Sequence, residues 1–197
     1  MPTGVALRDA RTQLFEAAER VLLRDGPSGL TSRAVTTEAG VAKGVLHRHF
    51  ADFDGFLTDL VLDRIAEMRA RSAALRACAG NGTVTGNLTS AIAELFESAC
   101  LALIGLVIAR DELRTRLRQA GAGRLPVAVE TAAMIASYLT AERDIGRICP
   151  DADIGALAGT LTGAAHLLYA DIERRPADAQ AIRAIVVTVI AGVLREP

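Results

Sequence analysis

Apolar positions recur at helical spacing along almost the whole chain. Over residues 8–24, Leu14, Ala18, Val21 and Leu22 fall on one face, and Asp25-Gly26-Pro27 stops the run. A short helix is predicted over residues 31–39. Thr31 or Ser32 can cap its free N–H groups, and Val35 and Ala39 lie four apart on an inner face. Gly40 then supplies a residue that tolerates positive φ, and Val41 fills the corner. The next helix is about two turns long. Leu46 and Phe50 anchor it, so Gly44, His47 and Arg48 point outward, flanked by Lys43, Val45 and His49. Further helices are predicted over residues 54–77, 87–109, 111–119, 125–143, 154–170 and 178–195. Gly80-Asn81-Gly82, Gly121-Ala122-Gly123 and Cys149-Pro150 mark the breaks between them. Long β-branched alternation is scarce, so the expected fold is all-α.

A two-turn helix with one anchored face and a basic, hydrogen-bonding outer face contributes little as a structural element. It is well shaped to enter a major groove. The short helices over 31–39 and 43–50 therefore read as a helix-turn-helix, with Thr31, Ser32, Arg33, Lys43, Gly44, Val45, His47, Arg48 and His49 as candidate DNA contacts. The same pattern also fits a solvated hairpin in a larger bundle, in which Lys43, His47 and Arg48 merely keep the surface wet.

The flanks narrow the choice. The long helix before the motif, Thr31-Ser32-Arg33-Ala34-Val35, the run from Gly40 to Phe50, and the long helix opening after Ala51-Asp52-Phe53-Asp54 together resemble the N-terminal domain of the TetR family of transcriptional regulators. The motif covers about residues 8–60; beyond it the likeness lies in the helical layout and in the Gly146–Asp153 lead-in to a penultimate helix. The resemblance implies a three-helix DNA-binding domain over 1–52 and a helical ligand-binding and dimerisation domain over 53–197. It further implies a homodimer on a palindromic operator, acting as a repressor that a small molecule releases. The chain departs from the family at three places. The family usually has Tyr at His47 and Lys at Phe53, each giving a phosphate contact, and often Ala at Thr36. With those contacts altered, Arg33, Arg48, His47 and the N-terminal Arg8 and Arg11 become the candidates for positioning on the backbone. The departures also keep open a helical small-molecule-binding or interaction module that has lost DNA binding.

Composition adds limits. Hydrophobic residues make up 51% of the 197 and aromatics only 4%, so Ala, Leu and Val are expected to do the packing. The net charge of −1 argues against a protein that coats nucleic acid indiscriminately. Residues 1–50 nevertheless carry seven Arg or Lys against five Asp or Glu, an excess the remainder reverses. Cys78, Cys100 and Cys149 are odd in number and widely spaced, which fits buried, reduced thiols in a cytoplasmic protein. Cys149, near Arg147, is the one thiol with a cationic neighbour that a redox sensor would want. Residues 1–8 show no apolar run of the signal-peptide kind.

The uncharged stretch over 154–170 falls short of the ~20 predominantly apolar residues a membrane span needs, and no membrane partner is expected. Gly155, Gly159 and Gly163 recur every four residues there, a flat stripe that another helix can approach closely. The last helix places Ile182, Ile185, Val186, Val189, Ile190 and Val193 on one wide apolar face. Two such helices call for a partner, and the resemblance implies a four-helix bundle with a second copy. In the middle of the chain, Phe96, Cys100, Leu103, Met134, Tyr138, His166 and Tyr169 are candidate lining residues of an effector cavity, with Tyr138 and His166 as polar handles.

Enzymatic readings find little support. Gly80-Asn81-Gly82-Thr83-Val84-Thr85-Gly86 has the wrong spacing for a nucleotide loop and follows a helix where a strand is required. His47 and His49 point about 200° apart on a helix, which does not suit a shared metal. Asp151 and Asp153 read as helix-start charges, and no nucleophile has a base at a recognisable spacing. No cofactor or metal is expected.

Overall fold

The computed structural model describes residues 4–97, 99–171 and 179–195; side chains 1–9, 96–98, 169–178 and 196–197 lie outside that description. Among the described residues the chain forms α1 (Gly4–Gly29), α2 (Ser32–Glu38), α3 (Gly44–His49), α4 (Phe53–Ala77), α5 (Val84–Glu97), α6 (Cys100–Ala109), α7 (Asp111–Gln119), α8 (Pro126–Asp144), α9 (Ile154–Asp171) and α10 (Ala179–Ile190). The all-α expectation is met.

The stop expected at Asp25-Gly26-Pro27 is met: Gly26 leaves the helical region at φ +70° and ψ −177°, and only a short helical turn follows to Gly29. Two boundaries differ from the sequence pattern for identifiable reasons. The single helix expected over 87–109 is two. In α5, Val84, Leu88, Ile92 and Leu95 form one buried stripe, whereas α6 buries Leu101 to Ile104 and then Leu106 and Val107, nearly all round. The step from one-sided to all-round burial marks the change of element. The last helix ends at Ile190 rather than running to 195. Leu194 instead pairs with Ile148 in an isolated antiparallel bridge, with Cys149 N–H donating to Val193 O (2.8 Å) and Arg195 N–H to Arg147 O (3.1 Å).

The chain divides into two compact units. The first takes the chain to Arg64 together with Ala102–Pro126; the second takes Ile65–Leu101 and the chain from Val127 onward. The core of the first unit is more aromatic than composition suggests. Phe15, Phe50, Phe53 and Phe56, four of the five phenylalanines, form a chain of ring contacts, with Phe50 edge-on to Phe56 at 4.9 Å and Phe15 5.6 Å from Phe56. Leu14, Val21, Val35 and Leu46 close around it. In the second unit, α10 packs on α5 and α9 through Ile182, Val186 and Ile190.

Candidate nucleic-acid interface

The helix-turn-helix is built by local chemistry that the sequence already carries. Thr31 is the N-cap of α2: its Oγ1 accepts from Ala34 N–H at 3.2 Å. Thr36 is buried, and its hydroxyl donates to Ser32 O (2.9 Å) and Arg33 O (3.2 Å), so the polar group costs little in that corner. Gly40 takes φ +66° and the Val41 N–H returns to Thr36 O, which reverses the chain between α2 and α3. Gln13 on α1 ties this turn down by donating to Ala39 O at 2.9 Å. Leu46 and Phe50 then pin α3 from one side.

That anchoring leaves Lys43, Gly44, His47 and Arg48 exposed, with Val45 and His49 half-exposed and the His49 ring edge-on to Phe50. Arg33 and Thr31 are exposed on the preceding helix. Ser32 is half-buried and its Oγ has no hydrogen-bond partner, so its hydroxyl is the least available of the nine residues expected here.

Charge pairing ties up most of the other arginines described in the unit, though Arg118 and Arg124 also form no ion pair among the described residues. Arg20 and Arg24 both bind Glu38 (2.8 and 2.7 Å), holding its carboxyl below the usual carboxylate range. Arg116 grips Asp52, and Arg110 approaches Asp54 at 3.5 Å. Arg64 binds Glu19 at 2.5 Å. Among the described residues, Arg33, Lys43 and Arg48 form no ion pair. Three unneutralised cations on the outward side of α2 and α3 are what a polyanionic backbone would meet. Arg11 is different from what the sequence suggested. Its Nη2 donates to Asp59 Oδ2 at 2.9 Å and its guanidinium lies 5.0 Å from the centroids of both Phe15 and Phe50. It is a structural rivet of the head, while the Arg8 side chain lies outside the described residues.

At the start of α4, Phe53 cannot offer a charge, but a guanidinium is present beside it. Arg110 stacks 5.4 Å from the Phe53 ring and donates to Leu30 O at 2.8 Å. Nothing in the sequence around residue 110 pointed to this; the pairing depends on a contact between residues 57 positions apart.

The second unit holds the candidate effector region. A cavity of about 210 Å³ lies between α4, α5 and α8, floored by Leu75, Leu95 and Met134, with Arg71, Cys78 and Glu94 exposed at its mouth. Of the seven lining residues expected, Met134 is on its wall. Cys100 and Leu103 are buried in the core. Tyr138 is fully buried and committed elsewhere: its hydroxyl donates to Glu142 Oε1 (2.5 Å) and accepts from Asn87 Nδ2 (2.9 Å). Burial, and then the Glu142 carboxylate, push the Tyr138 hydroxyl well above its ordinary value. Glu142, itself fully buried, is further held by Arg147 (3.2 Å) and the Gly80 N–H (3.3 Å). Tyr138 is thus part of a polar knot joining the end of α8 to the turn after α4. His166 is half-buried with an unpartnered Nδ1, and the Phe96 and Tyr169 side chains lie outside the described residues.

The thiols also depart from expectation. Cys100 is buried and Cys149 half-buried, but Cys78 is exposed. The candidate dimer residues split in two. Gly155, Gly159 and Gly163 are exposed on α9, as is Leu167 at 71%. Ile182, Val186 and Ile190 instead face the core of their own protomer, because α10 turns its widest apolar side onto α5 and α9. Val189 and Val193 are half-exposed, with Val193 beyond the end of the helix. The outer side of α10 carries Val187 and Thr188. Asp153 caps α9 by accepting from Ala156 N–H at 2.9 Å.

Fold and surface together define a helix-turn-helix protein of the DNA-binding kind. Residues 14–58 match the family model of bacterial regulatory proteins, tetR family. No curated protein matches the sequence. Solved structures share the whole fold: a TetR-family transcriptional regulator from Agrobacterium tumefaciens (15% identity, 95% of this chain and 99% of that one, TM-score 0.72) and E. coli NemR in its reduced form (16%, 96% and 98%, TM-score 0.72). EbrR, a multidrug binding protein complexed with imidazole, is similar at 23% identity over 95% and 96% of the two chains, with a TM-score of 0.53. Residues 14–58 thus carry a helix-turn-helix of the tetR-family kind, and the chain shares the fold of solved TetR-family regulators.

Proposed function

We propose that this protein binds a palindromic operator as a homodimer, represses transcription from it, and releases it when a small molecule occupies the second unit. In this reading residues 1–52 are the DNA-binding domain and 53–197 the ligand-binding and dimerisation domain. The observation that carries it is the set of cations without an ion pair among the described residues, Arg33 on α2 and Lys43 and Arg48 at α3, beside the exposed Gly44 and His47, with α3 pinned from behind by Leu46 and Phe50. Arg48 and Lys43 suit guanine O6 and N7 or phosphate, and the Gly44 backbone lets the helix approach closely. The exposed stripe of Gly155, Gly159 and Gly163, with Leu167 in line, supports pairing through α9. α4 runs through residues of both units and is the covalent link along which occupancy can be felt at the head. Footprinting on the DNA upstream of the protein's own gene tests the reading: protection of a two-fold symmetric site, relieved by a small molecule, is the expected result. A ligand that binds tightly without changing operator affinity would refute the release mechanism.

A further inference from the structure

We infer that the effector is a compact monocarboxylate with an apolar body, seated in the cavity between α4, α5 and α8 with its carboxylate on Arg71. This rests on the ligand-responsive reading above and names the site and the chemistry of the ligand. The size comes first. The cavity holds about 210 Å³, somewhat more than the ~150 Å³ of a void that accepts benzene. A ring or short branched chain with one small polar group fills it. The floor of Leu75, Leu95 and Met134 is buried and offers such a body no hydrogen bonds.

The charge at the mouth selects the polar group. Arg71 lines the cavity and forms no ion pair among the described residues, unlike Arg69 on the same helix, which Glu130 holds at 2.5 Å. The stretch from Met68 to Ala77 carries Arg69, Arg71 and Arg76 and no acid, so α4 presents net positive charge there. Glu94 on α5 is the acid of the lining. It sits at the solvent-exposed mouth, where a lone carboxylate is well hydrated and screened. A guanidinium fork matches a carboxylate with two parallel hydrogen bonds, whereas an ammonium on Glu94 would face Arg71 across the same opening. Tyr138 and Glu142 are not available to compete, since they are spent on each other and on Asn87, Gly80 and Arg147.

Cys78 provides the readout, because it lines the same cavity and is exposed while Cys100 is buried and Cys149 half-buried. Full-length protein is alkylated with iodoacetamide in the presence of benzoate, benzyl alcohol or benzylamine, and modification of each cysteine is followed by peptide mass. Benzoate is expected to slow Cys78 alkylation without changing Cys149, at a concentration about tenfold lower than benzyl alcohol needs, the worth of one charge-assisted contact. Arg71→Gln should remove that tenfold advantage and leave protection by benzyl alcohol unchanged; Ala91→Phe, which fills the cavity, should abolish protection by both. Benzylamine protecting at lower concentration than benzoate, equal benzoate protection in wild type and Arg71→Gln, or no protection by any of the three would each overturn the inference. Because alkylation is read without DNA, failure here with intact operator binding removes this site alone. Protection by benzoate in a protein that binds no duplex would instead remove the regulatory reading.

Discussion

Arg116 closes a two-pronged ion pair on Asp52, Nη1 to Oδ1 at 2.8 Å and Nη2 to Oδ2 at 3.0 Å. The same Asp52 Oδ1 accepts from Gly55 N–H at 2.7 Å and so caps the first turn of α4. One carboxylate thus fixes the entry to α4 and joins it to α7, within the unit that carries the helix-turn-helix.

The pH dependence of that joint has a definite sign. The Arg116 hydrogen bonds, followed by the Gly55 N–H, hold the Asp52 carboxyl below its ordinary value. A lowered folded-state value contributes stability above the ordinary aspartate range, near ~3.9, and loses it as pH falls through the lower folded value. Asp52→Asn should therefore lower the melting temperature at pH 7, with the gap to wild type narrowing towards pH 3. Melts followed by circular dichroism at both pH values check this; an equal gap at pH 7 and pH 3 would contradict it.

Arg11 and Arg48 should separate cleanly. Arg11 is spent on Asp59 and two phenyl rings, so Arg11→Gln is expected to cost stability, about 1 kcal/mol or less for the half-exposed pair, and to leave the salt dependence of DNA binding unchanged. Arg48→Gln should do the reverse if it touches phosphate, lowering the log–log salt slope by about 0.9. Urea unfolding and DNA titration at three salt concentrations distinguish the two.

Tyr138 should behave as a structural residue. Tyr138→Phe strips the buried Glu142 of a donor and Asn87 of an acceptor, at an expected cost of about 1–3 kcal/mol in urea unfolding. A change of effector affinity with stability unaltered would return Tyr138 to the ligand.

Gly159 tests the dimer. A Cβ at Gly159 meets nothing within 4 Å inside the protomer, so Gly159→Leu should leave the protomer folded while blocking close approach of a second α9. Sedimentation is expected to show dimer for wild type and monomer for the variant, with equal helical content by circular dichroism. A wild type that is monomeric at micromolar concentration contradicts the paired α9 reading.

Much of this was legible in the chain. Helical periodicity located the long helices, and the spacing of Leu46 and Phe50 gave the outward side of α3, because anchoring and exposure there are decided within a few residues. What escaped depends on partners distant in sequence. The widest apolar side of α10 reads as an interface, yet α5 and α9 cover Ile182, Val186 and Ile190. Arg11 reads as a surface cation until Asp59 and Phe50 come beside it. Tyr138 reads as a pocket handle because nothing local reveals Glu142 and Asn87 as its bonding partners. Cys78 reads as a small buried hydrophobe, but the turn through Gly80, at φ +82°, ends the helix and leaves it at the surface.

The most direct test is selection from a random duplex pool with the full-length protein, followed by titration of the selected site with wild type and with Lys43→Gln/Arg48→Gln. The account predicts enrichment of a palindrome whose half-sites lie about one helical turn or a multiple apart. Binding should be tight and salt-dependent, and the double variant should lose both affinity and sequence preference. A pool that shows no enrichment, or a double variant that selects and binds the same site as wild type, would contradict the assignment of α3 as the element that reads DNA.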